Sequence, residues 1–331
     1  MNSIILILSY FTFVCNIIRA APPFGQLSVK GNKLVGSKGQ PVQLVGMSLF
    51  WSNWEPGYTF FNAATVNKLK CSWNSNVVRA TMGVEEGGNG YLNNPNGERA
   101  KVEIIIKAAI AENIYVIVDW HDHNAHTHLK QAIEFFTYIA KTYGAKYTNI
   151  LYETFNEPKQ IEWNTVKSYH QQVVAAIRKY DKKNAIILGT TFWSQDVDIA
   201  SRNKVPGTNL CYTLHFYAAS HKQELRNKAQ IALNNGACIF VTEYGTVEAS
   251  GNGNIDNSST TDWFNFLDKN KISYLNWSVS NKAESASVLT PGSNANHVGD
   301  NNHLTASGRI IKNKLRSMKN GLYMYLIFIH F

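Results

Sequence analysis

The sequence predicts an α/β protein, a single (β/α)8 TIM barrel with a short N-terminal β-hairpin. Three observations carry this. Eight short apolar or β-branched runs, each of strand length, recur at 43–48, 76–82, 115–121, 149–156, 184–190, 210–217, 238–243 and 273–278. The segments between them have helical periodicity, the pattern of parallel strands joined by crossover helices. No Gly-rich turn follows the first run, which counts against the alternative of a doubly wound, dinucleotide-binding sheet.

In chain order, "MNSIILILSYFTFVCNIIRA" at 1–20 is too short and too interrupted by Ser9, Thr12, Cys15 and Asn16 to span a membrane. It ends in small residues and reads as a secretory signal cleaved after Ala20, so a secreted, extracellular protein is expected. "VKGNKLVGSKGQPV" reads as the hairpin, with Gly at its turns. Among the helical segments, "HLKQAIEFFTYIAKTYG" places Leu129, Ile133, Phe136 and Ala140 on one stripe, and "TVKSYHQQVVAAIRKY" does the same with Val166, Tyr169, Val173 and Ile177. One domain over 21–320 is expected. The apolar tail at 321–331, "GLYMYLIFIHF", is about half the ~20 residues that a span requires, and it suggests no role.

Composition narrows the function. A chain that is 44% hydrophobic can bury a full core, and 12% aromatics, including 8 Trp and 16 Tyr, leave rings over for stacking on flat ligand faces. The formal charge of +9 is dispersed, and no Lys/Arg run is dense enough for a nucleic-acid patch. Neither nucleic acid nor membrane is an expected partner. Removing 1–20 leaves Cys71, Cys211 and Cys238. Cys211 and Cys238 stand near the beginnings of adjacent runs and are the expected disulfide, with Cys71 free.

In such a barrel the chemistry sits where strands end, because those loops converge on one mouth. The first run delivers Trp51 and Trp54, the second Arg79, and the third Asp119, Trp120 and His121. "NILYETFNEP" closes the fourth on Asn156 and Glu157, the sixth brings His215 and Tyr217, "CIFVTEYG" brings Glu243 and Tyr244, and the eighth Trp277. A single carboxylate at a strand end is ordinarily a salt-bridge partner or a cap. Two, on strands from opposite sides of one mouth with Arg, His, Asn and aromatics around them, are the equipment for glycoside hydrolysis: one protonates the departing oxygen while the other attacks, or activates water at, the anomeric carbon. Aromatic rings suit the apolar C–H faces of sugars. No cofactor or metal is needed for this chemistry.

"ETFNEP" and "VTEYG", with "VVRATM", "VIVDWHDH", "LHFYA" and "LNWSVSNKAESASVL", resemble the motif set of glycoside hydrolase family 5, most closely the secreted endo-β-1,4-glucanases of plant-parasitic nematodes and related bacterial cellulases. The resemblance spans 23–319 and touches nearly every strand. It implies a retaining cellulase acting on cellulose and related β-glucans, with Glu157 as acid/base and Glu243 as nucleophile. It further implies that Asn156 bonds the sugar 2-hydroxyl, that Arg79 keeps Glu243 ionised, and that His121, His215 and Tyr217 bind sugar or orient neighbours. Trp277 would be a stacking platform, with Lys282 and Glu284 as polar contacts further out. The segment "GMSLFWSNW" departs from many bacterial relatives, so Trp51 and Trp54, with Phe50, would remake that subsite. A monomer without an appended cellulose-binding module is expected.

Alternatives remain open. β-Mannanase and xylanase share the carboxylate logic. "HDHNAHTH" offers His121, His123, His126 and His128 for a zinc-dependent hydrolase. A catalytically silent carbohydrate-binding protein would not need both glutamates.

Overall fold

The computed structural model describes residues 21–85, 88–319 and 321–322. The expected secretory signal and all but two residues of the apolar tail lie outside the described residues. Among those described, no helix is long and apolar enough to cross a membrane.

The chain opens with β1 (Ser28–Lys30) and β2 (Lys33–Val35), an antiparallel hairpin. Eight parallel strands follow: β3 (Val45–Leu49), β4 (Val77–Gly83), β5 (Tyr115–His121), β6 (Ile150–Glu153), β7 (Ile186–Leu188), β8 (Leu210–Tyr217), β9 (Cys238–Gly245) and β10 (Ser273–Val279). They close into a barrel in that order, β10 pairing with β3. The expected strand order holds throughout. Two predicted strands are too long, because β6 ends at Glu153 and β7 covers only 186–188, so Asn156 and Glu157 stand beyond the last paired residue rather than on it.

Strand alternation sorts side chains between two apolar layers. Val78, Ala80, Val116, Val118 and Tyr152 pack outward against the helices. Val77, Tyr115, Ile117, Leu151, Ile187 and Leu275 fill the barrel's lower interior, joined by Leu27 and Leu34 from the hairpin segment. The same alternation, continued upward, carries Arg79, Asp119 and Glu153 inward, all fully buried. Polar groups therefore form the next layer above a dry floor.

The helix 163–180 buries Val166, Tyr169, Val173 and Ile177 as expected. In the helix Leu129–Ile139 the buried face is instead Ala132, Phe135, Phe136 and Ile139, with Leu129 and Ile133 half-buried and Ala140 buried in a wider turn that follows. Three aromatics decide that rotation, since Phe135 and Phe136 both pack on Trp120. Cys211 and Cys238 are register partners across β8 and β9, with Cα atoms 4.5 Å apart, and form the disulfide; Cys71 is free and exposed. Asn276 is fully buried and donates to the carbonyl of Tyr244, while its neighbour Trp277 faces the mouth.

Candidate active site

The centre of the site is the guanidinium of Arg79, which reaches three carboxylates, an amide and the Ser48 hydroxyl at once. Nε and Nη2 donate to the two oxygens of Glu153 at 2.7 and 3.2 Å, and Nη1 donates to Glu243 Oε2 at 3.1 Å. Nη2 also meets Asp119 at 3.1 Å and donates to Asn156 Oδ1 at 2.6 Å. Arg suits this position because its fork has five donors and stays charged when buried. One cation faces three carboxylates in a dry interior, so the layer cannot hold all three ionised without strong repulsion. Burial accordingly pushes Asp119 and Glu153 up to about 7, against the pull of Arg79.

Glu243 is held at both oxygens: Arg79 at one and the Tyr217 hydroxyl at the other, 2.7 Å away. Burial, then the adjacent carboxylate, pushes the Tyr217 phenol well above its usual range, so it remains a donor. Glu157 is partly buried, with Oε1 2.8 Å from His215 Nδ1 and Oε2 3.3 Å from His123 Nε2. Burial pushes its carboxyl up, but hydrogen bonds from the two histidines outweigh burial and hold it below the usual glutamate range. Carboxylate oxygens of Glu157 and Glu243 approach within 4.8 Å of each other. An irregularity in β9 makes this possible. Pairing with β8 shifts between Thr213 and His215, so that Thr242 and Glu243, consecutive in sequence, both reach interior groups.

Two cavities of about 300 and 340 Å³ meet at Glu157, Tyr217 and Glu243, making one groove with the carboxylates at its middle. On one side, Trp277 stacks on His121 at 5.2 Å, Trp51 meets the same imidazole edge-on at 4.1 Å, and Asp119 fixes His121 Nδ1 at 2.7 Å. Asn156 lines this side too; since Arg79 occupies its Oδ1, its amide N–H groups remain as donors. Further out Lys282 pairs with Glu284 at 2.5 Å and lies over the Phe50 ring. Of the residues expected at the mouth, Arg79 and Asp119 lie buried beneath the groove, Trp120 and Tyr244 pack outward into the helix layer because strand alternation turns them away from the interior, and Trp54 does not line the groove either. Trp54 sits 45% exposed at the N-cap of a short helix.

The other side, beyond His215 and Tyr217, has no counterpart among the residues expected from the sequence. It is lined by Trp193, Gln195 and His221, and Trp193 comes from the loop after β7, the strand to which no site residue had been assigned. That loop runs through three successive left-handed residues, Phe192, Trp193 and Ser194, with φ of 55°, 54° and 56°. Each costs on the order of 1 kcal/mol or more for a side chain with a Cβ. Bonds from Phe192 N to Lys159 O, Trp193 N to Pro158 O and Ser194 Oγ to Asn156 O tie the loop to the segment carrying Glu157. An aromatic pair after a strand was a legible signal; the backbone geometry, without a glycine, was not.

The four histidines of "HDHNAHTH" do not converge. His121 bonds Asp119, His123 faces Glu157, His126 stacks on Phe155, and His128 bonds Asp122. No three of them bring ring nitrogens within 4.8 Å of one another. Alternation explains this: only His121 is on the strand, and the loop after it turns the others to different neighbours.

Comparison with known proteins agrees with this geometry. Residues 35–283 match the family model described as cellulase (glycosyl hydrolase family 5). The chain is 47% identical to endoglucanase Z of Dickeya dadantii over 88% of this chain and 66% of that protein. It superimposes on a solved structure from Cytophaga hutchinsonii with a TM-score of 0.86 at 48% identity, covering 90% of this chain and 96% of that one. The catalytic domain of Thermobifida fusca endoglucanase Cel5A gives 0.84 at 33% identity, covering 90% and 100%. The chain spans 57% to 66% of the length of the first curated relatives it matches. A family match across all eight barrel strands and both glutamates, joined to near-complete overlap with solved relatives, establishes that this chain belongs to glycosyl hydrolase family 5, the cellulase family.

Proposed function

We propose that this protein is an endo-β-1,4-glucanase that cleaves internal bonds of cellulose and related β-glucans by retaining double displacement. The observation carrying the mechanism is the short approach of Glu157 to Glu243. Double displacement needs its carboxyl groups about 5 to 5.5 Å apart, whereas inversion leaves about 6.5 to 9.5 Å for a water. Glu243, with Arg79 and Tyr217 on its oxygens, is oriented to attack the anomeric carbon. Glu157, with imidazoles on both of its oxygens, exchanges protons with the leaving group and then with water.

The groove supports internal cleavage, since it extends to both sides of the carboxylates. Trp277, His121 and Asn156 hold the sugar that becomes covalently attached, the Asn156 amide donating to its 2-hydroxyl. Trp193 and His221 receive the departing chain. Lys282 and Glu284 contact a sugar further along the first side. Secretion is supported by the signal-like stretch at 1–20 and by the Cys211–Cys238 disulfide, a bond that persists in oxidising compartments.

Proton NMR of early cellobiose release tests the mechanism: the β-anomer forms first, with the α-anomer arising only by mutarotation. Initial α-anomer would establish inversion. Reducing-sugar release from carboxymethylcellulose, mixed-linkage glucan, glucomannan and xylan tests the substrate; preference for either of the last two would replace cellulase by mannanase or xylanase.

A further inference from the structure

A chain of side chains runs inward from Glu157 and ends on a carboxylate that the hydrolysis described above does not use. His215 Nδ1 lies 2.8 Å from Glu157 Oε1, His215 Nε2 lies 2.9 Å from Thr242 Oγ1, and Thr242 Oγ1 lies 2.6 Å from Glu153 Oε1. Thr242, His215 and Glu153 are buried, so bulk water does not intervene. We propose that Glu153 is a positioning residue that shares one proton with Glu157 through Thr242 and His215. This rests on the assignment of Glu157 as acid/base.

The count of hydrogens requires the coupling. A threonine hydroxyl has one proton, and an imidazole with one ring proton donates from one nitrogen only. If Thr242 donates to Glu153, it accepts from His215 Nε2–H, Nδ1 is bare, and Glu157 must hold the proton that spans the 2.8 Å contact. If Glu153 holds the proton, it donates to Thr242 Oγ1, Thr242 donates to Nε2, and Nδ1–H donates to a Glu157 carboxylate. Switching from the first polarity to the second breaks the Glu157 O–H, Nε2–H and original Thr242 O–H bonds. It forms Nδ1–H, a new Thr242 O–H and Glu153 O–H. One proton moves in net from Glu157 to Glu153 and the total charge is unchanged.

Both polarities are useful. The first arms Glu157 as an acid for glycosylation, and the second leaves the carboxylate that His215 and His123 stabilise. Glu153 can take either form because its neighbours oppose one another: Arg79 on β4 favours the carboxylate, while burial and Asp119 on β5 favour the acid, with the titration at about 7. Around Glu157 the other facing groups are His123 from the loop after β5, Glu243 from β9, and Tyr217 and His221 from β8 and its loop. None of these joins the chain to Glu153. Two carboxyls coupled this way titrate as a pair.

The test is the pH profile of kcat/KM on carboxymethylcellulose for the wild type, Thr242→Val, Thr242→Ser and Glu153→Gln. Cutting the chain leaves Glu157 with the lower intrinsic value set by its histidines, so the basic limb moves down by about one pH unit in Thr242→Val and Glu153→Gln, and Thr242→Ser restores it. In Thr242→Val, which leaves the Arg79 contacts to Glu153 and Glu243 in place, the pre-steady-state burst on dinitrophenyl cellobioside, whose leaving group needs no acid, changes by less than about threefold. A basic limb in Thr242→Val that coincides with the wild type, or a burst reduced as much as polymer hydrolysis, overturns the proposal. Ring 15N shifts of His215 in the wild-type protein give an answer without turnover or variants: at one pH the shifts report a tautomer change, averaging between the Nδ1–H and Nε2–H forms, and a single fixed tautomer refutes the relay. A folded wild type with the tautomer change but no hydrolysis of any β-glucan sinks the cellulase reading alone.

Discussion

Arg79 Nη1 lies 3.1 Å from Glu243 Oε2, and the rest of the same guanidinium holds Glu153, Asp119 and Asn156. A single buried cation thus joins the two halves of the site, since Asn156 immediately precedes Glu157. Geometry at one glutamate is transmitted to the other through Arg79.

Arg79→Lys keeps the charge but replaces a planar fork by a point. It cannot meet Glu153 at two oxygens and Glu243 and Asn156 as well. The expected result is a fall in kcat on the order of 10²-fold with KM little changed, as for loss of one preorganised donor. Steady-state kinetics checks this, and a kcat within a few-fold of wild type would show that the fork is dispensable.

The two glutamates should fail differently. Glu157→Ala keeps the nucleophile, so it should still glycosylate rapidly on dinitrophenyl cellobioside and stall; azide should then release a β-glycosyl azide. Glu243→Gly removes the covalent step, and with an α-glycosyl fluoride it should act by transfer if at all. Proton NMR of the products, which reads the anomeric configuration, distinguishes them. A β-azide from Glu243→Gly, with an α-azide from Glu157→Ala, would exchange the roles.

Trp193→Ala should weaken the leaving-chain side by about 1 to 2 kcal/mol, the scale of one aromatic stacking platform, or roughly 10-fold in kcat/KM on long oligosaccharides. Hydrolysis of dinitrophenyl cellobioside, which places no sugar there, should hold. Equal losses on both substrates would mean that the left-handed loop, rather than the ring, matters.

Stability should fall with rising pH. Burial places Asp119 and Glu153 at about 7, above the ~4 of unfolded carboxyls, so between these values the folded chain binds more protons than the unfolded one. The stability they contribute is complete below about 4 and is lost as pH rises through about 7. Melting temperature should drop from pH 5 to pH 8, and the drop should be smaller by a few degrees in Glu153→Gln, about 2 to 4 °C per kcal/mol for a chain of this size class. Parallel curves for the two proteins would place the titration elsewhere.

The sequence by itself determined the barrel, because eight apolar runs separated by amphipathic segments leave few other ways to bury both. It also determined which residues reach the mouth on β4, β5 and β8, where strict alternation turns Arg79, His121, His215 and Tyr217 inward. The Cys211–Cys238 pair followed from strand adjacency, a local rule as well. What alternation could not supply, only the tertiary structure decided. The shift in β9 puts Thr242 and Glu243 to use together, the run from Glu153 to Glu157 leaves the sheet early, and the loop at 192–194 takes a conformation that no glycine marks. Each is set by pairing with another strand or by hydrogen bonds to a distant segment, and residue pattern alone carries no record of those partners. Glu153 is the clearest case: on the sequence it is a polar residue inside an apolar strand, and it acquires a meaning only where Arg79, Thr242 and His215 converge on it.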